Sequence, residues 1–181
     1  MRADARRNYE RLLEEAKNAF AAHGVEASLE DIARSAGVGI GTLYRHFPTR
    51  DALIESVLRD RFDGQAERAR ELLTSAEPLA ALHTWLAGLS ATSGVYEGLS
   101  EVLTVALSDE TSRLYESCHA MQDAASQLVE RAKRAGELRP DVTTRELLVL
   151  LHAVSWAGKH LPGDGGSARL LGLVFEGLRA S

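Results

Sequence analysis

Residues 28–47 read Ser28-Leu29-Glu30-Asp31-Ile32-Ala33-Arg34-Ser35-Ala36-Gly37-Val38-Gly39-Ile40-Gly41-Thr42-Leu43-Tyr44-Arg45-His46-Phe47, and Pro48-Thr49-Arg50-Asp51 follow. Ser28 is a strong helix N-cap, because its side-chain oxygen can accept one of the amides that a helix start leaves unpaired. Glu30 and Asp31 then suit the positive end of the helix dipole. Ile32, Ala33 and Ala36 form the buried side, and Gly37 stops the helix after about two turns. Val38-Gly39-Ile40-Gly41 leads into a third short helix, Thr42 to Phe47, closed by Pro48. Two short helices joined by a tight turn that opens on glycine make a helix-turn-helix pattern, held from the inside by Val38, Leu43 and Phe47.

The flanking sequence is helical in both directions. Asp4 is placed to cap a first helix of about 19 residues whose buried stripe is Tyr9, Leu12, Leu13, Ala16, Ala19 and Phe20, ending at His23-Gly24. Thr49-Arg50-Asp51 starts a fourth helix with Leu53, Ile54, Val57, Leu58 and Phe62 as its stripe. Pro78 suits the first turn of a fifth, with Leu79, Leu82, Leu86 and Leu89 on one face. A shorter segment follows around Leu99, Val102, Leu103 and Ala106. From about Asp109 the apolar positions Leu114, Cys118, Met121, Ala125, Leu128 and Ala132 recur at helical spacing until Gly136 and Pro140. Thr143/Thr144 with Glu146 opens the next helix, and a loop at 162–167 precedes a last one from Ala168 to Leu178. The expected fold is therefore all-α with about nine helices. Residues 1–48 are expected to form a three-helix domain that contains the helix-turn-helix, and 49–181 a second, helical-bundle domain.

Composition agrees. The 181 residues include 27 Ala and 27 Leu against 11 Val, 3 Ile and 9 Thr, a balance that favours helix over strand. Cys118 is the single cysteine, which excludes a disulfide framework and a cysteine zinc cluster. The six histidines show no metal-ligand spacing, so neither a metal nor a cofactor is expected. No apolar run reaches the roughly 20 residues that span a bilayer, and the N-terminus lacks the hydrophobic stretch of a signal peptide. A cytoplasmic protein with no membrane partner is the expectation. Net charge is −5, which on its face speaks against nucleic acid, but residues 1–50 hold 8 Lys+Arg and 7 Asp+Glu, and the acid excess lies entirely beyond them. The last two helices are apolar nearly all round. A monomer would expose that surface, so a two-fold homodimer is expected.

The stretch from Ser28 to Leu53 closely resembles the DNA-binding domain of the TetR family, bacterial ligand-responsive transcriptional repressors. Gly41-Thr42-Leu43-Tyr44-Arg45-His46-Phe47, with a basic residue and Leu53 beyond it, is the most specific part. The resemblance covers roughly residues 4–60, and beyond them it is architectural. Ser28 stands where many members carry threonine, Gly39 where serine is frequent, and Arg50 where lysine is usual. Gly39 removes a side-chain cap from the recognition helix.

The residues themselves agree with this carry-over. Burying Leu43 and Phe47 turns Ile40, Gly41, Thr42, Tyr44 and Arg45 toward solvent, an arrangement suited to a major groove. Arg45 is placed to read guanine, Ile40 and the Thr42 methyl to touch thymine methyls, and Gly41 to let the backbone approach. The resemblance implies phosphate contacts for Tyr44 and His46. Ser28 with the first amides of its helix makes an anion site, alongside its certain role as a cap. Gly39 belongs to the same surface. Arg50, and Arg2, Arg6 and Arg7 near the N-terminus, are read as sequence-independent phosphate anchors, with a solvated chain end as the alternative for the last three.

The resemblance also implies an inducer pocket in the C-terminal bundle. Its candidate lining is His83, Trp85, Tyr96, Tyr115, Cys118, His119, Met121, Gln122, His152 and Trp156, with ordinary core as the alternative for each. No charged cluster stands among them, so the expected inducer is apolar or amphipathic. The function expected is a homodimeric repressor on a palindromic operator, released by that inducer. The alternative is a constitutive DNA-bound architectural or partner-recruiting protein of the same fold. An enzyme is disfavoured, because Glu116-Ser117-Cys118-His119 is a lone Glu-x-x-His pair where a carboxylate metal centre needs two.

Overall fold

A computed structural model describes residues 2–91, 109–160 and 166–180. Eight helices are seen among them: α1 (Arg2–His23), α2 (Leu29–Ser35), α3 (Ile40–His46), α4 (Arg50–Leu72), α5 (Pro78–Ala91), α6 (Arg113–Arg134), α7 (Thr144–His160) and α8 (Gly166–Leu178). The described residues contain no strand. Their extended pairing is one isolated antiparallel bridge, Leu138 with Arg179, flanked by bonds from the Arg139 amide to the Leu178 carbonyl (3.0 Å) and from the Ala180 amide to the Glu137 carbonyl (3.1 Å). The expected segment around 99–106 lies outside the described residues, as does Tyr96.

Caps set most of the boundaries. Ser28 Oγ accepts the Asp31 amide at 3.2 Å, and Thr49 Oγ1 accepts the Ala52 amide at 3.1 Å to open α4. At α7 the Thr143 amide donates to Glu146 Oε2 (2.8 Å) while the Glu146 amide donates back to Thr143 Oγ1 (3.2 Å), a reciprocal capping box. Gly24, Gly37 and Gly136 all have φ near +70°, which lets the chain leave a helix in the left-handed region.

Four helix starts differ from expectation, among them that of the 109–135 helix, which begins at Arg113 after a turn closed by the Ser112 amide on the Asp109 carbonyl (2.9 Å). Asp4 is not the N-cap of α1: the helix begins at Arg2, and Asp4 lies in its first turn bonded to Arg7. α3 starts at Ile40 rather than Thr42, because extended Gly39 (φ −75°, ψ 151°) lends its carbonyl to the Thr42 amide at 2.8 Å. Gly41 is thereby a helical residue. α8 starts at Gly166, two residues before Ala168.

The chain divides into two compact units. In the first, residues 1–61 with 95–116, α2 packs on both α1 and α3. Leu12, Phe20, Ile32, Leu43, Phe47, Leu53 and Leu58 are its most deeply buried large side chains up to residue 61. In the second, residues 62–94 with 117–181, α5 packs on α7 and α8, and α7 packs on α8. Its core joins Ala66 and Ala69 of α4 to Trp85, Leu86, Met121, Leu128, Leu151, Leu171 and Phe175. The six-residue stripe expected on the 109–135 helix is buried throughout.

α7 and α8 approach tightly at Gly158. A methyl there would lie 2.4 Å from the Ser167 amide nitrogen, whereas one on Gly64 in α4 would meet nothing within 4 Å. Gly158→Ala should therefore destabilise the protein by about 1–3 kcal/mol, through forced separation of two helices. Gly64→Ala should raise stability by about 0.5–1 kcal/mol, through the entropy lost by glycine in a helix. Chemical denaturation of both variants checks the pair.

Candidate nucleic-acid interface

α3 is seven residues long, and burial of Leu43 within it and Phe47 at its C-cap fixes which side faces outward. Tyr44 is 46% exposed, a large value for so apolar a ring, and Arg45 and Gly41 are exposed beside it. Ile40 and Thr42 are half-buried at the margins. A Cβ on Gly39 or Gly41 would meet nothing within 4 Å, so the surface is open to close approach at both.

The basic residues divide by whether their charge is already engaged. Arg6 pairs with Glu10 at 2.8 Å and Arg7 pairs with Asp4, all four exposed on α1. Arg34 pairs with Asp31 at 2.6 Å. Arg50 sends Nη1 to the carbonyls of Val25 (2.7 Å) and Ala27 (2.6 Å), tying the start of α4 to the α1–α2 connection. Arg45 has no hydrogen-bond or ion-pair partner among the described residues. Arg2 lies in α1, and its side chain is not described.

His46 is half-buried. Its ring meets Tyr9 edge-on at 5.9 Å and lies 6.2 Å from Phe47, while Tyr9 and Phe47 are 5.1 Å apart. The Tyr9 hydroxyl accepts from Arg59 Nη2 at 3.2 Å. These contacts join α1, α3 and α4 around one aromatic cluster. Ser28 is committed to the Asp31 amide, and its own hydroxyl donates to Glu30 Oε2 at 3.4 Å.

The ten residues expected to line an inducer pocket scatter. Trp85 is fully buried with its indole N–H donating to the Gln65 carbonyl at 2.9 Å, and it shares the second unit's core with Met121. Cys118 is buried and accepts from Gln122 Nε2 at 3.4 Å; burial pushes its thiol pKa up. His83 is half-buried and meets Phe175 edge-on at 4.8 Å, in a surface groove of about 680 Å³ with Glu77, Glu137 and Glu176. His119, Gln122, His152 and Trp156 are exposed, and Gln122 and His152 share a second surface groove of about 610 Å³ between α6 and α7. Tyr115 is half-buried in the first unit. Helical phase explains the split on α6: 118 and 121 face inward, so 119 and 122 turn out. Among the described residues no group of three His, Cys, Asp or Glu is placed to hold a metal, and no helix is long and apolar enough to cross a membrane.

Comparison with known proteins follows the same division. Residues 12–57 match the profile of bacterial regulatory proteins of the tetR family, and residues 77–180 match that of the C-terminal domain of SbtR-like transcriptional regulators. A TetR transcription regulatory protein from Mycobacterium vanbaalenii is 33% identical, with a TM-score of 0.69 over 99% of both chains. One from Streptomyces coelicolor is 32% identical, with a TM-score of 0.77 over 96% of this chain and 99% of that one. The chain belongs to the TetR family. It is a DNA-binding transcriptional regulator with the TetR fold. The repressor KstR2 is similar in two organisms. The Rhodococcus jostii protein is 26% identical over 92% of this chain and 89% of its own length. The Mycolicibacterium smegmatis protein is 41% identical over 73 residues, 39% of this chain and 36% of that protein, so that match spans about a third of the relative.

In this TetR-family regulator, the contacts missed from sequence are those that cross between helices. Tyr9 was legible only as one more apolar position on α1, and nothing local marks Val25 and Ala27 as acceptors for Arg50. Arg50→Ala should lower stability by about 1–3 kcal/mol, since two carbonyls lose a charged donor. Arg45→Ala should stay within about 0.5 kcal/mol of the wild type. Urea unfolding of the two variants measures the difference, and equal effects would contradict the assignment of Arg50 as an interhelical tie.

Proposed function

We propose that this regulator is a homodimeric repressor that reads a palindromic operator with α3 and is released by an apolar or amphipathic small molecule. The observation that carries the reading is Arg45. It is exposed and unpaired on a helix whose other side is anchored, beside an exposed Tyr44. A guanidinium in that position suits the paired acceptors on a guanine edge. Tyr44 and His46 are assigned to phosphate, and Ile40 and Thr42 to thymine methyls. Arg6 and Arg7 add a weaker, sequence-independent attraction, tempered by their acidic neighbours.

The dimer is supported by apolar side chains left on the outer faces of α7 and α8. Val149 is 62% exposed, Trp156 58% and Leu173 51%. Val149 and Trp156 lie seven residues apart, on one stripe of α7. Pairing α7 and α8 with their symmetry mates would cover these side chains, and a two-fold dimer suits operator half-sites about one turn, roughly 34–36 Å, apart.

A second reading keeps the DNA binding and drops the inducer. It is favoured by the dense burial of Trp85 and Met121, two of the expected pocket residues. The readings part on reciprocity. An inducer that weakens operator binding by some factor must itself bind more weakly, by the same factor, once operator is present.

The test is fluorescence anisotropy on a duplex selected from a randomised library, with the dimer verified by sedimentation. Arg45→Ala should cost about 1–3 kcal/mol and relax preference at one base pair per half-site. Unchanged preference at every position would remove Arg45 as the reader.

A further inference from the structure

The second unit holds a buried acceptor with no donor. Gln65 lies on α4 beside Ala66, which is part of the core around Trp85. Its backbone carbonyl takes the Trp85 indole N–H at 2.9 Å, so the ring and residue 65 are in direct contact. Its side-chain Oε1 is shielded from solvent and receives no hydrogen bond. The Trp85 N–H cannot supply one, having already been donated to the carbonyl. Buried side-chain polar atoms are nearly always paired, because an unpaired one forfeits its hydration and gains nothing in return. Leucine or methionine would fill this position without that cost.

We infer that Gln65 is the specificity-determining acceptor of the small-molecule site: its Oε1 receives an O–H or N–H from the inducer, which is thus an apolar molecule carrying a hydrogen-bond donor. The inference rests on the ligand-response reading and narrows its ligand class. It also gives a use to the buried ring, which is hydrogen-bonded to the backbone of the same residue and so reports on changes there. A site built to pair with a ligand hydroxyl discriminates strongly against the analogue that lacks it, because the protein's own polar group is then left buried and unpaired.

The experiment uses the full chain carrying Trp156→Phe, so that Trp85 alone reports. The probes are 4-pentylphenol and its methyl ether, which differ in the donor and little in apolar surface. Trp85 fluorescence is titrated with each, in this background and with Gln65→Leu added. The expected result is at least ten-fold tighter binding of the phenol, with that preference lost in Gln65→Leu. The thermal midpoint of ligand-free Gln65→Leu should equal the parent's or exceed it by about 2–4 °C, since an unpaired buried acceptor has been removed. A lower midpoint would mean that Oε1 is already satisfied in the free protein, and would overturn the inference. So would equal binding of both probes, or a phenol preference that survives Gln65→Leu. Saturable binding of neither probe up to their solubility, with operator affinity unmoved by either, would overturn the ligand class together with the ligand-response reading on which it rests.

Discussion

A helix of seven residues does not persist in water by itself, because nucleation costs more than so few internal hydrogen bonds return. α3 therefore exists as a borrowed structure. It depends on Leu43 and Phe47, which are 0% and 1% exposed, and on the Tyr9 and His46 rings packed around Phe47. Everything the regulator does at DNA follows from that anchoring. It selects which side of α3 faces out, and it makes the outward side chains of Tyr44 and Arg45 stand at fixed positions on a rigid frame. α1, α2 and the start of α4 supply the frame, with Arg50 fastening α4 to the α1–α2 connection.

Charge tells the same story at longer range. A chain of net charge −5 binds a polyanion only if its positive groups are concentrated and uncommitted. In the first unit most guanidiniums are committed, to carboxylates on α1 and α2, to carbonyls, or to Tyr9. Among the arginines of α1–α4 in that unit whose side chains are described, Arg45 is the exception. Engaged arginines position and stiffen the domain, and Arg45 is left available for the base contact proposed above.

The parts of this fold legible from sequence are those whose causes are local. Ser28, Gly37 and the Thr143–Glu146 pair act within four residues of themselves, so the caps are readable without a structure. The α6 stripe follows from a period of 3.6 residues, and all six of its positions are buried. Where two local signals compete, the sequence misleads: Gly41 reads as loop, yet Gly39 already serves as the cap and Gly41 is helical. The tie made by Arg50 is invisible in the sequence because its acceptors lie 23 and 25 residues away. The expected inducer lining scatters for a different reason. Residue chemistry alone carries no helical phase, and inward Cys118 and Met121 stand beside outward His119 and Gln122 on one helix. Gln65, polar and with Asp63 and Glu67 two residues to either side, gives no sign in the sequence that its amide oxygen is buried.

The claim that α3 reads bases through Arg45 is tested most directly by methylation protection with dimethyl sulfate, which attacks guanine N7 in the major groove. A guanidinium paired with guanine O6 and N7 shields that atom. The wild-type dimer should protect one guanine in each operator half-site, symmetrically placed, and Arg45→Ala at a concentration giving the same occupancy should leave those two guanines reactive while keeping any other protection. Guanines that stay shielded in the variant, or an occupied operator with no protected guanine at all, would contradict the account.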